Sequence, residues 1–465
     1  MSAPVSSIKT LNPTTNKIEK VFKEMTDSQL DHILAAADQA FLSWKTTSIA
    51  TRAQLLHNVA KIMRTRKQAL ARLCTVEMGK LVAEGIAEVE LCADIFDYYA
   101  DNGAQLLADR QLTVKQGKAF LSYEPLGVLL TVQPWNFPFY QITRTAAANL
   151  MGGNTVVLKH ASNVPQCAEM MEKIFIEAGA PKGVYSNLFV SGSRVSQLVA
   201  SPYVKAVSLT GSAPAGSSYA AAAGKVIKKS TLELGGSDAF IVLADANIEQ
   251  AVNMAAFGRL WNAGQVCISP KRIIVLESVA DEFIRRATDI YKQIVIGDPL
   301  EAKTQLAPLS TEKGLVDVLK QVETTVKQGA RLVYGGHRLD REGFFMQPTI
   351  LTDIKPGMLA YADEIFGPVL CIYAVKNIEE AIKLANDTEF GLGGTVFGNN
   401  TDEAVKIARQ MVTGMVYINH ITGISPELPF GGTKQSGYGR EQADAGFYEF
   451  LNAKLIRITT PESAY

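Results

Sequence analysis

The stretch VLLTVQPWNFPFYQITRTAAANLMGGNTVVLK, residues 128–159, decides the fold. Val128 to Val132 and Thr155 to Lys159 are β-rich runs, and Thr143 to Met151 between them is helical. A strand, a helix and a second strand in this order make a parallel sheet whose faces are covered by helices. The alternation continues through a helix at Pro165 to Glu177, a strand at Tyr185 to Val190, a helix at Ser193 to Ala200 and a strand at Ala206 to Leu209. A second series runs from Ala239 to about Val416, with strands expected at Phe240 to Leu243, Arg272 to Leu276, Leu332 to Tyr334, Val369 to Tyr373 and Thr395 to Phe397. Two α/β domains are expected.

Upstream, from Asp27 to Leu107, apolar positions such as Leu30, Ile33, Leu34, Ala37 and Phe41 recur at helical spacing, with Asp27 or Ser28 available as the cap. Leu112 to Tyr123 carries short alternating runs and leads into Glu124, Pro125 and Gly127, which suggests a hairpin reaching out as an arm. At 465 residues the chain exceeds the size of a single hydrophobic core. It contains no short-period repeat and no low-complexity tract.

Composition narrows the function classes. Hydrophobic residues make up 47% and charged residues 20%, close to globular averages. Lys plus Arg equals Asp plus Glu at 46 each, so there is no net field to steer a polyanion, which argues against nucleic acid or an anionic membrane as partner. Cys74, Cys92, Cys167, Cys267 and Cys371 form neither a disulfide framework nor a metal-binding pair, so a reducing cytoplasmic setting and no metal are expected. No apolar run has signal-peptide or membrane-span character.

Four segments could carry chemistry. Cys267 follows Asn262-Ala263-Gly264-Gln265-Val266 in a loop-like stretch, where a thiol can be a nucleophile, although a lone cysteine is equally a small buried hydrophobe. Glu233 stands in an apolar stretch before Gly235 and Gly236; burial would raise its pKa toward that of a general base, and the competing reading is a salt-bridged glutamate before a turn. Pro134-Trp135-Asn136-Phe137-Pro138 holds Asn136 between two prolines, as an oxyanion donor or as part of an ordinary turn. Gly211-Ser212 lies between a strand and an Ala-rich helical stretch, where helix N–H groups can meet a pyrophosphate, or where the chain merely turns.

Taken together, these segments closely resemble the aldehyde dehydrogenase superfamily. The likeness covers almost the whole chain and includes Lys159, Glu364-Ile365-Phe366-Gly367-Pro368, Pro429-Phe430-Gly431-Gly432 and Lys434-Gln435-Ser436-Gly437. It implies Cys267 as nucleophile, Asn136 as oxyanion donor and Glu233 as the base for the deacylating water. It also implies an α/β fold with a variant Rossmann NAD(P)-binding domain (1–108 and 126–235), an α/β catalytic domain (236–440), and a β oligomerisation arm with a C-terminal tail (109–125 and 441–465). Expected cofactor contacts are Trp135, Lys159, Gly211, Ser212, Gly235, Glu364 and Phe366. Three positions after Lys159, NAD-specific members often carry a glutamate for the ribose hydroxyls; here it is Ser162, which admits NADP as well as NAD.

Within the superfamily the chain looks most like the succinate-semialdehyde-oxidising members, through Arg144 and Ser425, an arginine and a hydroxyl suited to a substrate carboxylate, a structural ion pair being the other reading of Arg144. Trp261 stands where some of those members carry a second arginine. The resemblance therefore implies a small aldehyde substrate, succinate semialdehyde foremost with glutarate semialdehyde or a non-carboxylated aldehyde behind it, and a homodimer or homotetramer. A coenzyme A-acylating dehydrogenase of the same fold would generally lack Glu233, and an inactive homologue would not keep all three catalytic positions filled.

Overall fold

The computed structural model describes residues 8–461. The first segment forms three helices, Asp27–Trp44, Ile49–Met78 and Val82–Leu106. The first is capped one residue earlier than expected. Thr26 accepts the amide of Gln29 and the Gln29 side chain accepts the amide of Thr26, a reciprocal box that neither Asp27 nor Ser28 forms. These helices pack on Pro138–Gly152 through Leu56, Met63, Phe96, Tyr99, Phe139 and Met151, all buried. Each such side chain contributes roughly 2–3 kcal/mol through burial.

Two sheets organise the rest. The first has the order Gly437–Tyr438, Lys229–Glu233, Val204–Thr210, Val128–Gln133, Thr155–His160 and Tyr185–Asn187; every pairing is parallel except that of Gly437–Tyr438. The strand expected at Tyr185 to Val190 is shorter than its apolar run, because only Tyr185–Asn187 pairs with a neighbour. The second sheet has the order Arg331–Tyr334, Thr349–Thr352, Val369–Val375, Pro270–Leu276, Asp238–Val242, Gly394–Phe397 and Tyr417–Ile418, antiparallel only at its first pair. A third, antiparallel sheet joins Leu451–Ile458, Lys118–Pro125 and Arg110–Leu112, so the expected hairpin is completed by a strand from the far end of the chain.

The strand directions create the place for a site. Val128–Gln133, Thr155–His160, Val204–Thr210 and Lys229–Glu233 are neighbours running the same way, so their carboxyl ends line up along one edge. Ligands of open parallel sheets bind along that edge. No helix among the described residues is long and apolar enough to cross a membrane.

Candidate active site

The segment before Cys267 is a strained turn. After the helix Ile248–Leu260, Asn262, Ala263 and Gly264 follow one another with φ of 50°, 54° and 74°, a left-handed run that L side chains resist. Glycine is required at its end, since a Cβ on Gly264 would stand 2.2 Å from the Gly367 carbonyl oxygen. The surroundings hold the turn firmly. Asn262 Nδ2 donates to the carbonyls of Asn136 (2.8 Å) and Gln265 (3.3 Å), the Asn262 amide donates to Glu84 (3.1 Å), and the Ser310 amide donates to Gln265 Oε1 (2.9 Å).

Cys267 faces a cleft of about 430 Å³. Nine of the expected residues line it: Trp135, Asn136, Gly211, Ser212, Glu233, Gly235, Cys267, Glu364 and Phe366. Asn136 follows the strand Val128–Gln133; its Oδ1 accepts Gln141 Nε2 and its Nδ2 donates to the Gln265 carbonyl, both at 3.1 Å, which turns the amide group toward the loop of Cys267. Glu233 ends its strand and is buried. Burial raises its carboxyl pKa, opposed by Arg144, and Glu233 Oε1 carries no hydrogen bond. Burial and Glu233 push the Cys267 thiol well above its usual range, against the pull of Arg144 and Lys271. Both shifts favour the uncharged forms, a thiol at Cys267 beside the buried Glu233 carboxyl.

The cleft suits a dinucleotide. Ser212 precedes the helix Ala213–Lys225 and makes no side-chain cap, leaving the first N–H groups for an anion. A Cβ on Gly235 would lie 2.4 Å from a Glu364 carboxylate oxygen, so glycine keeps the floor open. Trp135 and Phe366 meet edge to face at 5.9 Å between ring centroids. Lys159 and Ser162 lie outside the cleft wall, at and just beyond the carboxyl end of Thr155–His160. Lys159 is buried, and its pKa is lowered to about 8 by that burial; among the described residues no hydrogen bond or ion pair engages its ammonium.

Arg144 does not meet the cleft as expected. Its side chain is fully buried, with Nη2 2.9 Å from Glu233 and 2.6 Å from Thr210 Oγ1, and Nε 2.5 Å from Glu441. Two carboxylates already neutralise it, so it is not presented to a ligand. Ser425 likewise lies outside the cleft wall and donates to the Glu427 carboxylate. Glu441, Gln141, Lys271 and Glu84 escaped the sequence reading; the signal for Glu441 was its place just after the Lys434 to Gly437 motif, and the others carried none.

Glu84 makes a testable contribution. Burial raises its pKa to about 7, partly offset by the Asn262 amide and Lys80. Between the ordinary value of 4.5 and about 7 the unfolded chain has lost a proton that the native chain keeps, so stability falls as pH rises through this window, by of order 3 kcal/mol. Glu84→Gln is expected to reduce the slope of Tm against pH across it. An unchanged slope would mean that Glu84 ionises alike in both states.

The profile of the aldehyde dehydrogenase family matches residues 1–456. The chain is 44% identical over 454 residues to a succinate-semialdehyde dehydrogenase (NADP(+)) of Deinococcus radiodurans, covering 98% of this chain and 95% of that protein. It matches the solved structure of succinic semialdehyde dehydrogenase from Streptococcus pyogenes in complex with NADP+ at a TM-score of 0.96 and 45% identity, covering 97% of this chain and 100% of that one. A solved NAD-dependent aldehyde dehydrogenase from Sinorhizobium meliloti matches at a TM-score of 0.95 and 33% identity, covering 99% and 93%.

Proposed function

The chain belongs to the aldehyde dehydrogenase family, and from that premise we propose that it oxidises succinate semialdehyde to succinate by covalent catalysis at Cys267, with NADP or NAD. The observation that carries the mechanism is the meeting of Cys267, Asn136 and Glu233, from three distant segments, around one cleft. The names of the relatives carry the substrate and the cofactor.

In this reading Cys267 Sγ attacks the aldehyde carbon and Glu233 takes the thiol proton. The alkoxide of the thiohemiacetal is held by Asn136 Nδ2 and the backbone N–H of Cys267. When bound, a nicotinamide dinucleotide would supply the hydride acceptor, and the adduct on Cys267 would then become a thioester. Ser212 with the helix start would hold its pyrophosphate, Lys159 and Ser162 its adenine ribose, and Glu364 with Phe366 and Trp135 its nicotinamide end. Once Glu233 has released the thiol proton to solvent through the cleft, its Oε1, the carboxylate oxygen without a partner, receives a proton from the water that attacks the thioester, and collapse of that adduct frees the acid and the Cys267 thiolate. Arg144 acts through Glu233, keeping the base in place. Ser425 would have to leave Glu427 to meet a distal carboxylate; Ile424 beside it belongs to the apolar cluster that also takes in Cys267 and Trp261.

Two assignments concern the whole molecule. Residues 1–108 with 126–235 form the cofactor domain and 236–440 the catalytic domain; the arm 109–125 with the tail 441–465 joins copies into a cytoplasmic homodimer or homotetramer. Leu455 and Ile458, 58% and 57% exposed on the outermost strand of the arm, support the last reading.

The test is NAD- and NADP-linked oxidation of succinate semialdehyde, glutarate semialdehyde, butanal and benzaldehyde. A lead of uncharged aldehydes in kcat/KM would remove the substrate assignment and leave the family intact. For the cofactor, Ser162→Glu is expected to weaken NADP binding at least about tenfold while changing NAD by about threefold or less, because a carboxylate repels a 2′-phosphate. Equal loss of both would mean that the ribose sits elsewhere.

A further inference from the structure

Lys271 lies at the start of the strand Pro270–Leu276, buried, with its ammonium enclosed by three oxygens. It donates to the carbonyls of Val266 (2.9 Å) and Cys267 (2.7 Å) and pairs with Glu364 Oε1 at 3.1 Å. Its three N–H groups are thereby matched by three acceptors. Two belong to the loop that carries the nucleophile; the third belongs to a carboxylate on the cleft wall. Glu364 is held from a second side by the Gly236 amide at 3.3 Å.

We propose that Lys271 is a positioning residue that fixes the backbone on either side of the nucleophile and offsets the Glu364 carboxylate, so that the Lys271–Glu364 pair sets the reactivity of the Cys267 thiol. The proposal rests on the reading of Cys267 as the nucleophile. The groups facing the thiol come from four elements: Glu233 at the end of its strand, Arg144 and Tyr140 from Pro138–Gly152, Glu364 from the loop before Val369–Val375, and Lys271. Glu441 stands behind Arg144 and shares its charge with Glu233. Arg144 is thus largely spent on two carboxylates. Lys271 is shared with one carboxylate and two neutral carbonyls, and beside Arg144 it is the second cation that favours a thiolate. Without it, Glu364 would face the sulfur with no cation beside it while Glu233 kept only its share of Arg144, and the added negative charge would disfavour ionisation.

The experiment is iodoacetamide alkylation of the full-length protein without cofactor or aldehyde, from pH 6 to pH 10, followed by mass spectrometry of the peptide containing Cys267. Cys74, Cys92, Cys167 and Cys371 are buried, which keeps the readout on Cys267. Lys271→Met is expected to move the alkylation midpoint up by about one pH unit, which at pH 7.5 is about a tenfold slower reaction. Lys271→Arg should restore most of the rate, Glu364→Gln should move the midpoint down, and the double variant K271M/E364Q should return toward wild type. A folded Lys271→Met protein with the wild-type midpoint overturns the proposal. If that variant fails to fold, Glu364→Gln decides: an unshifted midpoint overturns the proposal and a lowered one supports it. The nucleophile reading fails separately, by retained aldehyde oxidation after Cys267 has been alkylated.

Discussion

Replacing Cys267 by alanine lowers kcat for aldehyde oxidation by about ten thousandfold or more, equivalent to over ~5 kcal/mol of barrier, while changing NADP affinity by no more than about twofold. The size follows from the mechanism: without the sulfur there is no covalent adduct for Asn136 to stabilise and no thioester for water to attack. The second half follows from the geometry. Cys267 occupies one wall of the cleft, whereas the helix start at Ser212 and the buried amine of Lys159 belong to other strand ends and lose nothing. Trp135 lines the cleft and provides a fluorescence signal for the binding titration. Substantial turnover by the variant would end the covalent mechanism; loss of dinucleotide binding would mean that the thiol also shapes the cofactor site.

Arg144 gives the second large effect. Replacing it by methionine leaves Glu233 and Glu441 buried without their shared cation, and breaking such a pair costs about 3–5 kcal/mol, read as a lower denaturant midpoint. Adding Glu441→Gln removes one of the stranded charges and should recover part of the loss. Activity should fall by a similar factor for butanal and for succinate semialdehyde, because Arg144 acts through Glu233. A selective rise in KM for succinate semialdehyde, with butanal unaffected, would instead place the guanidinium against the substrate carboxylate.

What could be read from the residues depended on how local the cause was. Parallel strands buried on both faces are continuous apolar runs, so Val128–Gln133 and Val369–Val375 were plain in the sequence. Lys229–Glu233 and Thr349–Thr352 were not, since charges or hydroxyls flank their few apolar positions. The residues around the cleft were legible because each sits in a short motif at a strand end. The fate of Arg144 was hidden: its partner Glu233 is 89 positions away, and an arginine in a helical stretch reads the same whether it meets a substrate or two glutamates. Lys271 beside Arg272 looks like ordinary surface charge, yet the fold buries both. The left-handed Asn262 and Ala263 were equally invisible, because alanine does not advertise a conformation it adopts only under tertiary constraint.

The strand Gly437–Tyr438 closes the edge of the cofactor sheet by pairing with Leu232 and Glu233, the Ser436 carbonyl receives the Leu234 amide at 3.0 Å, and Glu441 completes the charge pattern around Arg144. During synthesis, therefore, Asn136, Glu233 and Cys267 emerge from the ribosome well before the segment that seats the base. A nascent chain, or one terminated before residue 437, carries Cys267 without the segment that seats Glu233, so the full set of proposed catalytic groups is in place only once residue 441 has been made.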